Sequence, residues 1–293
     1  MPKEALDRLW STLGVAVVVS SDVEYRRCVE CGLRFFSPPL TGDQWFYEKL
    51  QRFSWYYLED KVEYDLAVPY LPKAGNVLEI GAGKGAFARY LTSQAYTGLE
   101  FSEQAIRFAR ERGIHLKAEP VEQIAASGLR GTFSAVCAFQ VLEHVADPHN
   151  FIESAMRLLR EGGRLIIAVP AHDSYVGCVT DSPLNLPPHH VTHWTDETLR
   201  SVGLIFGLRL LALVNEELSL MHVRSARKAQ WNKCLRAVFG IRRAPLVSRS
   251  RADRFLDRVA SLLGRYIRPP HFDRRGHTVL AVFERQSLKS TSK

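Results

Sequence analysis

The sequence holds no apolar run of about 18 residues, the length a helix needs to cross a bilayer. The longest candidate, Val15 to Val19, is enough for a strand. Lys3, Glu4, Asp7 and Arg8 precede only a short apolar stretch, so no secretory leader is expected. Five cysteines in 293 residues are too few for a disulfide framework. Cys28 and Cys31, in Cys-x-x-Cys-Gly, have the form of one zinc knuckle, but no second pair follows. Cys137, Cys178 and Cys234 are scattered, and a structural zinc takes four ligands. No bound metal is therefore expected, with Cys28 and Cys31 left as weak zinc candidates. There is no internal repeat.

Acidic residues are scarce in one place. Residues 224–275 carry 15 Lys or Arg against 3 Asp or Glu, a net +12 in a chain of net +8, so the remainder is at −4. A basic segment is attached to a mildly acidic body, and the overall charge does not describe the rest of the chain. The hydrophobic fraction, 46%, suffices for a sizeable core.

The most informative segment is Val77-Leu-Glu-Ile-Gly-Ala-Gly-Lys-Gly85. Apolar residues lead into glycines at 81, 83 and 85, which reads as a buried strand turning sharply into a helix, with bare backbone for a ligand. Glu100 follows 19 positions after Gly81, at the end of a second short strand, Tyr96 to Glu100. A carboxylate there can take both hydroxyls of a ribose. The third glycine comes one residue too early for the dinucleotide pattern. Glu79 would also repel a pyrophosphate by several kcal/mol in a partly dry site. The same carboxylate favours an ammonium and a sulfonium, which S-adenosyl-L-methionine (SAM) carries without any phosphate.

On these residues the chain resembles the class I SAM-dependent methyltransferases, over about residues 59 to 223 and again at the C-terminus. Phe139-Gln-Val-Leu-Glu-His-Val145 is similar to the segment that closes over the cofactor in that family. Arg160-Glu-Gly-Gly163 and the strand after it are similar to its helix-turn-strand. Pro187-Pro-His-His-Val-Thr-His-Trp194 resembles a subgroup found beside genes for glycan and natural-product assembly. Relatives in that subgroup can carry a small zinc ribbon ahead of the methyltransferase domain. The resemblance implies an α/β fold: a Rossmann-like, doubly wound, mostly parallel seven-stranded sheet with an antiparallel edge hairpin. It implies SAM contacts at Glu79, Gly81, Ala82, Gly83, Gly85, Glu100, Phe101, Glu119, Phe139 and Gln140.

Strands are expected near residues 76–80, 96–100, 114–118, 135–138, 164–169, 205–214 and 277–284. A helix over 148–160 is capped by Asp147, begins on Pro148 and ends at Gly162. Residues 1–50 form an N-terminal appendage, a degenerate zinc-ribbon-like unit, and 51–223 the SAM-binding core. Residues 224–275 are a basic helical insertion, 276–286 the final core strand and 287–293 a loose tail. Residues 43–72 read as helical and rich in aromatics: Trp45, Phe46, Phe53, Trp55, Tyr56, Tyr57 and Tyr64. These serve as core packing or as a lid over cofactor and acceptor, where a ring face can meet a sulfonium. In 251–268, Phe255, Leu256, Val259, Leu262, Leu263, Tyr266 and Ile267 fall on one helical face.

Methyl transfer to a hydroxyl needs alignment and a proton acceptor, for which histidine is the commonest group near neutral pH. His190, then His189, are the candidates for base or substrate ligand, and His193 is read as structural. Ubiquinone-pathway O-methyltransferases carry Glu-x-x-Glu-His where this chain has Gln140-Val-Leu-Glu143-His144. The missing carboxylate removes a hard oxygen ligand, so Glu143 and His144 are expected to brace the loop. The expected activity is O-methylation of a small-molecule, glycan or lipid-linked sugar acceptor in the cytoplasm. Residues 224–275 are open to peripheral contact at the inner membrane face, or to packing their apolar side on the body. The alternatives are an RNA methyltransferase using the basic insertion, against which no flipped-base motif occurs, and a non-catalytic SAM-binding partner protein.

Overall fold

The computed structural model describes residues 1–15, 20–53, 56, 58–241, 246–248 and 250–287. Residues 16–19, Trp55, Tyr57 and the tail beyond 287 lie outside the described residues. The strands are β1 (Glu24–Arg27), β2 (Arg34–Ser37), β3 (Gly75–Ile80), β4 (Gln94–Leu99), β5 (Leu116–Lys117), β6 (Phe133–Phe139), β7 (Leu159–Pro170), β8 (Thr192–His193), β9 (Leu208–Glu217) and β10 (Arg275–Arg285). Seven of them form one sheet in the order β5-β4-β3-β6-β7-β10-β9. β3 to β7 run parallel, and β10 lies antiparallel to both β7 and β9. This is the Rossmann-like sheet expected from the sequence, with an antiparallel edge.

β6 is buried along its whole length, so alternate residues face two different cores. Val136 and Ala138 join Leu78, Ile167 and Ala281 beneath three helices: α5 (Val121–Ala126), α6 (Pro148–Leu158) and α7 (Asp196–Phe206). Ala135, Cys137 and Phe139 face the other way, with Val77, Ile166 and Leu280, against Phe87 and Tyr64 of α3 (Val62–Ala67). The chain runs outward from β3 to β5, then returns to start β6 on the other side. The order of strands therefore reverses between β3 and β6, where ligands of open α/β sheets bind.

Several local expectations shift. The glycine turn leads into a short 3-10 helix, Ala86–Tyr90, rather than an α-helix. Asp147 does cap α6, accepting from the Asn150 N–H at 3.1 Å. The helix stops at Leu158, because Leu159 is already extended and starts β7; Gly162 lies inside that strand. The strand expected from Ile205 begins at Leu208. Thr195 caps α7 and left-handed Gly207 ends it, so Ile205 and Phe206 are its last turn. The aromatic segment splits into α2 (Gln44–Leu50) and α3, and the third-strand stretch shortens to Leu116–Lys117.

The N-terminal region is stitched to the rest. The β1–β2 hairpin carries Cys28 and Cys31 in its turn, both as free thiols. β2 pairs antiparallel with β8, with Phe35 opposite Thr192 and Arg34 opposite His193. Between β9 and β10 lie α8 (Val223–Val238) and α9 (Arg251–Tyr266), packed on one another. The buried side of α9 is Leu256, Ala260 and Gly264, spaced by four. A Cβ on Gly264 would stand 2.8 Å from the Lys228 nitrogen, so the two backbones touch there. Arg236, inside the seam, pairs with Asp253 at 2.8 Å. The apolar face expected of α9 is therefore divided: Leu256 is buried, while Phe255, Leu262 and Tyr266 are 62–72% exposed. None of the described helices is long and apolar enough to cross a membrane.

Candidate functional site

The first half of the site is the turn after β3. Gly81, Gly83 and Gly85 all adopt left-handed backbone, with φ of 72°, 54° and 75°. A Cβ at 81 would come within 2.4 Å of Val141 Cγ2, so glycine is required both by conformation and by the approach of the segment after β6. The N–H groups of Gly81 and Ala82 both donate to the Leu99 carbonyl at 2.9 Å, which clamps the turn onto the end of β4.

Glu100 sits where β4 ends and faces the turn. Its Oε2 accepts from the Gly83 N–H at 2.7 Å, and its Oε1 from Phe101 and Ser102 at 2.9 and 2.8 Å. A carboxylate offers about four acceptor positions, so holding both ribose hydroxyls requires exchange of the Gly83 bond. Ser102 in turn donates to Gln51 Oε1 at 2.9 Å, tying the end of α2 to this loop.

Glu79 lies beneath the turn, 1% exposed. The Tyr96 hydroxyl donates to its Oε2 at 2.5 Å, while its Oε1 is buried with no hydrogen-bond partner among the described residues. Burial pushes its pKa up to about 8, against the pull of the Tyr96 hydrogen bond and Lys61. An orphaned carboxylate oxygen under a glycine cradle suits a cationic ligand, as SAM is. Gln140, directly after β6, holds φ at 56°, an uncommon conformation for a residue other than glycine, and its side chain donates to Thr278 at 3.3 Å. Phe101 is exposed beside Glu100, and Glu119 lies in the loop after β5. The Phe139 ring is buried against Phe87 and Tyr64, so only its backbone can face a cofactor.

The second half begins two residues after Gln140, on the turn Leu142–His144. The Val191 N–H donates to the Glu143 carbonyl at 2.8 Å and the Thr192 hydroxyl to the Leu142 carbonyl at 3.0 Å, which holds the histidine loop onto this turn. The rings of His144, His189 and His190 consequently meet, with centroids 4.5 to 5.0 Å apart. His144 Nδ1 donates to the His189 carbonyl at 2.6 Å and His189 Nδ1 to the Leu184 carbonyl at 2.8 Å. His190 Nδ1 lies 3.3 Å from Asn185 Oδ1. Burial lowers the basicity of all three, His144 to about 4 and the other two well below the ordinary range, and the neighbouring rings add to the effect at His189 and His190. Glu143, 1% exposed, is pushed up to about 8 by burial, and its Oε1 is 4.0 Å from His190 Nε2.

Aromatic rings enclose this cluster. Tyr47 stands edge-on to His144 at 5.9 Å, Tyr56 lies 6.0 Å from His189, and Trp10 of α1 (Lys3–Ser11) donates to the Pro187 carbonyl at 2.8 Å. His193 belongs to a separate buried group with Tyr25, whose hydroxyl is 2.7 Å from His193 Nδ1 and 3.1 Å from His172 Nε2. The sequence reading missed Trp10, Asn185 and the joining of His144 to the pair, since each contact spans a long stretch of chain or has no local signature.

The family model described as "Methyltransferase domain" matches residues 48–213, more than half of the chain. An uncharacterised protein of Methanocaldococcus jannaschii is 32% identical over 117 residues, covering 40% of this chain and 55% of that protein. A ubiquinone biosynthesis O-methyltransferase of Caulobacter sp. is 34% identical over 100 residues, 31% of this chain and 39% of that enzyme. The chain thus spans about half the length, or less, of these curated relatives. Among solved structures, a SAM-dependent methyltransferase of Thermotoga maritima superposes with a TM-score of 0.54 at 19% identity, covering 83% of this chain and 98% of that one; this likeness is one of fold.

Proposed function

This chain belongs to the class I SAM-dependent methyltransferases, and we propose that within that family it methylates a hydroxyl of a small-molecule or glycan acceptor. The observation that carries the reading is the buried histidine cluster that begins four residues beyond Gln140, walled by Tyr47 and Tyr56. SAM, when bound, supplies an electrophilic methyl on a cationic sulfur. Glu79, the turn Gly81 to Gly85, Glu100 and Gln140 are the residues that hold it in this reading, with Phe101 and Glu119 flanking the nucleoside. Transfer of that methyl would need the acceptor oxygen held in line with it, which the walls of the histidine cluster would provide.

His190, with His189 beside it, is the group on which the hydroxyl proton is held. Its Nδ1 faces Asn185, so Nε2 presents the lone pair, and the Glu143 carboxyl lies within 4.0 Å of it. The Pro187 to Trp194 segment and the kinship with a ubiquinone-pathway O-methyltransferase support an oxygen acceptor. A lipid-linked sugar is supported by α9, where exposed Phe255, Leu262 and Tyr266 stand among exposed Arg251, Arg254, Arg258 and Arg265.

The test is release of S-adenosylhomocysteine over a panel of hydroxyl, amine and sugar-phosphate acceptors. Turnover on hydroxyl acceptors should fall by about a hundredfold in His190→Ala while SAM affinity is kept. Turnover confined to amines, or unchanged in both His190→Ala and His189→Ala, would overturn the reading.

A further inference from the structure

We propose that His144, His189 and His190 form a binding site for one divalent transition ion of the zinc type, ligated through their Nε2 atoms. One ring nitrogen from each of the three lies within 4.8 Å of the others. The hydrogen bonds decide which nitrogen of each ring keeps its lone pair. The partners of His144 and His189 Nδ1 are backbone carbonyls, which only accept, so both Nδ1 atoms carry the proton. The Asn185 side-chain oxygen plays the same part for His190. Each imidazole is left with its lone pair on Nε2. An oxygen acceptor behind each ligating histidine is the arrangement that orients imidazoles around a metal.

Two further atoms point into the same place. His189 Nε2 is buried, in a residue only 7% exposed, and has no hydrogen-bond partner among the described residues. Glu143 Oε2 is equally without one, and Glu143 Oε1 lies 3.9 Å from His144 Nε2 and 4.0 Å from His190 Nε2. Leaving such atoms bare in a buried site carries an uncompensated desolvation cost, which a cation removes. Tetrahedral zinc at its usual bond length sets ligand nitrogens about 3.4 Å apart, so the three rings turn inward on loading. Three imidazoles select zinc, cobalt, nickel or iron over magnesium or calcium, which prefer all-oxygen sets. Three protein nitrogens leave a coordination position for an oxygen, and Glu143 supplies negative charge beside it.

Cation binding stands without the acceptor reading; only its consequence for catalysis rests on that reading. With an ion in place, the same histidines would act on the acceptor proton through the cation rather than as free bases.

The test uses full-length, untagged protein stripped with chelator and titrated with Co2+, read by metal analysis and visible absorption. The expected result is one Co2+ per chain with a tetrahedral-type spectrum and no thiolate band, kept in Cys28→Ser/Cys31→Ser. Affinity should fall at least about tenfold in His144→Ala and in His189→Gln, two variants so that a folding failure in one does not decide the matter. SAM titration on the same samples reports folding and the cofactor seat independently, and should be unaffected by stripping. No stoichiometric Co2+ in the wild type, binding unchanged in both histidine variants, or loss in the cysteine variant would overturn the proposal. Loss of SAM binding in the wild type would instead strike at the methyltransferase reading.

Discussion

Glu79 governs how this protein should respond to pH. Burial moves its carboxyl from the ordinary 4.5 up to about 8. Between those values the folded chain keeps a proton that the unfolded chain has released. The unfolded state then binds fewer protons, so stability falls as pH rises through that window, by about 1.4 kcal/mol per pH unit for this one group. Below about 4.5 and above about 8 its contribution is flat. Glu79→Gln keeps the neutral shape and removes the titration. The variant should match the wild type near pH 4.5 and exceed it by a few kcal/mol near pH 8. Glu143 titrates in the same range in both proteins and drops out of the difference. Urea midpoints taken at half-unit steps from pH 5 to 9 measure the gap, and parallel curves would refute the reasoning. Bound SAM reverses the preference, because its positive charges favour the ionised carboxylate. At pH 7, SAM binding should therefore release close to one proton, seen as a binding heat that depends on the buffer. Glu79→Gln should lose that dependence.

Other outcomes follow from single contacts. Gly81→Ala places a methyl 2.4 Å from Val141 Cγ2 on left-handed backbone. It should destabilise by about 1–3 kcal/mol in urea unfolding, and Val141→Ala should restore part of the loss; no effect would mean the turn is not held as described. Tyr25→Phe removes the hydroxyl that meets both His172 and His193. About 1–2 kcal/mol of stability should go with it, while Co2+ and SAM binding stay the same. Flotation with anionic vesicles should recover the wild-type chain, and Phe255→Ser/Leu262→Ser/Tyr266→Ser should recover less; equal recovery would remove the membrane-facing role of α9.

The parts of the fold legible in the sequence were those fixed by near neighbours. The turn Gly81 to Gly85 needs left-handed backbone that glycine alone adopts freely, and β6 and the Leu165–Val169 part of β7 are apolar runs too short for helices. Boundaries failed where a residue could serve two elements. Leu204, Ile205 and Phe206 suit a strand by composition, yet the Thr195 cap and Gly207 make them a helix end. On α9 the large apolar residues pointed to one face. Burial instead followed Ala260 and Gly264, whose small size lets α9 approach α8 closely, a preference visible only with the partner helix in place. The pairing of β2 with β8 and the meeting of His144 with His189 and His190 join segments far apart in the chain. No local pattern in either segment reports the other.

The most direct measurement of the central claim is titration calorimetry of the wild-type chain and of Glu100→Ala with SAM and with NAD. A seat built from the Gly81 turn, Glu79 and Glu100 predicts that SAM binds, that NAD does not, and that Glu100→Ala weakens SAM by about tenfold or more. Tight NAD binding with no response to SAM, or SAM affinity unchanged in Glu100→Ala, would contradict it.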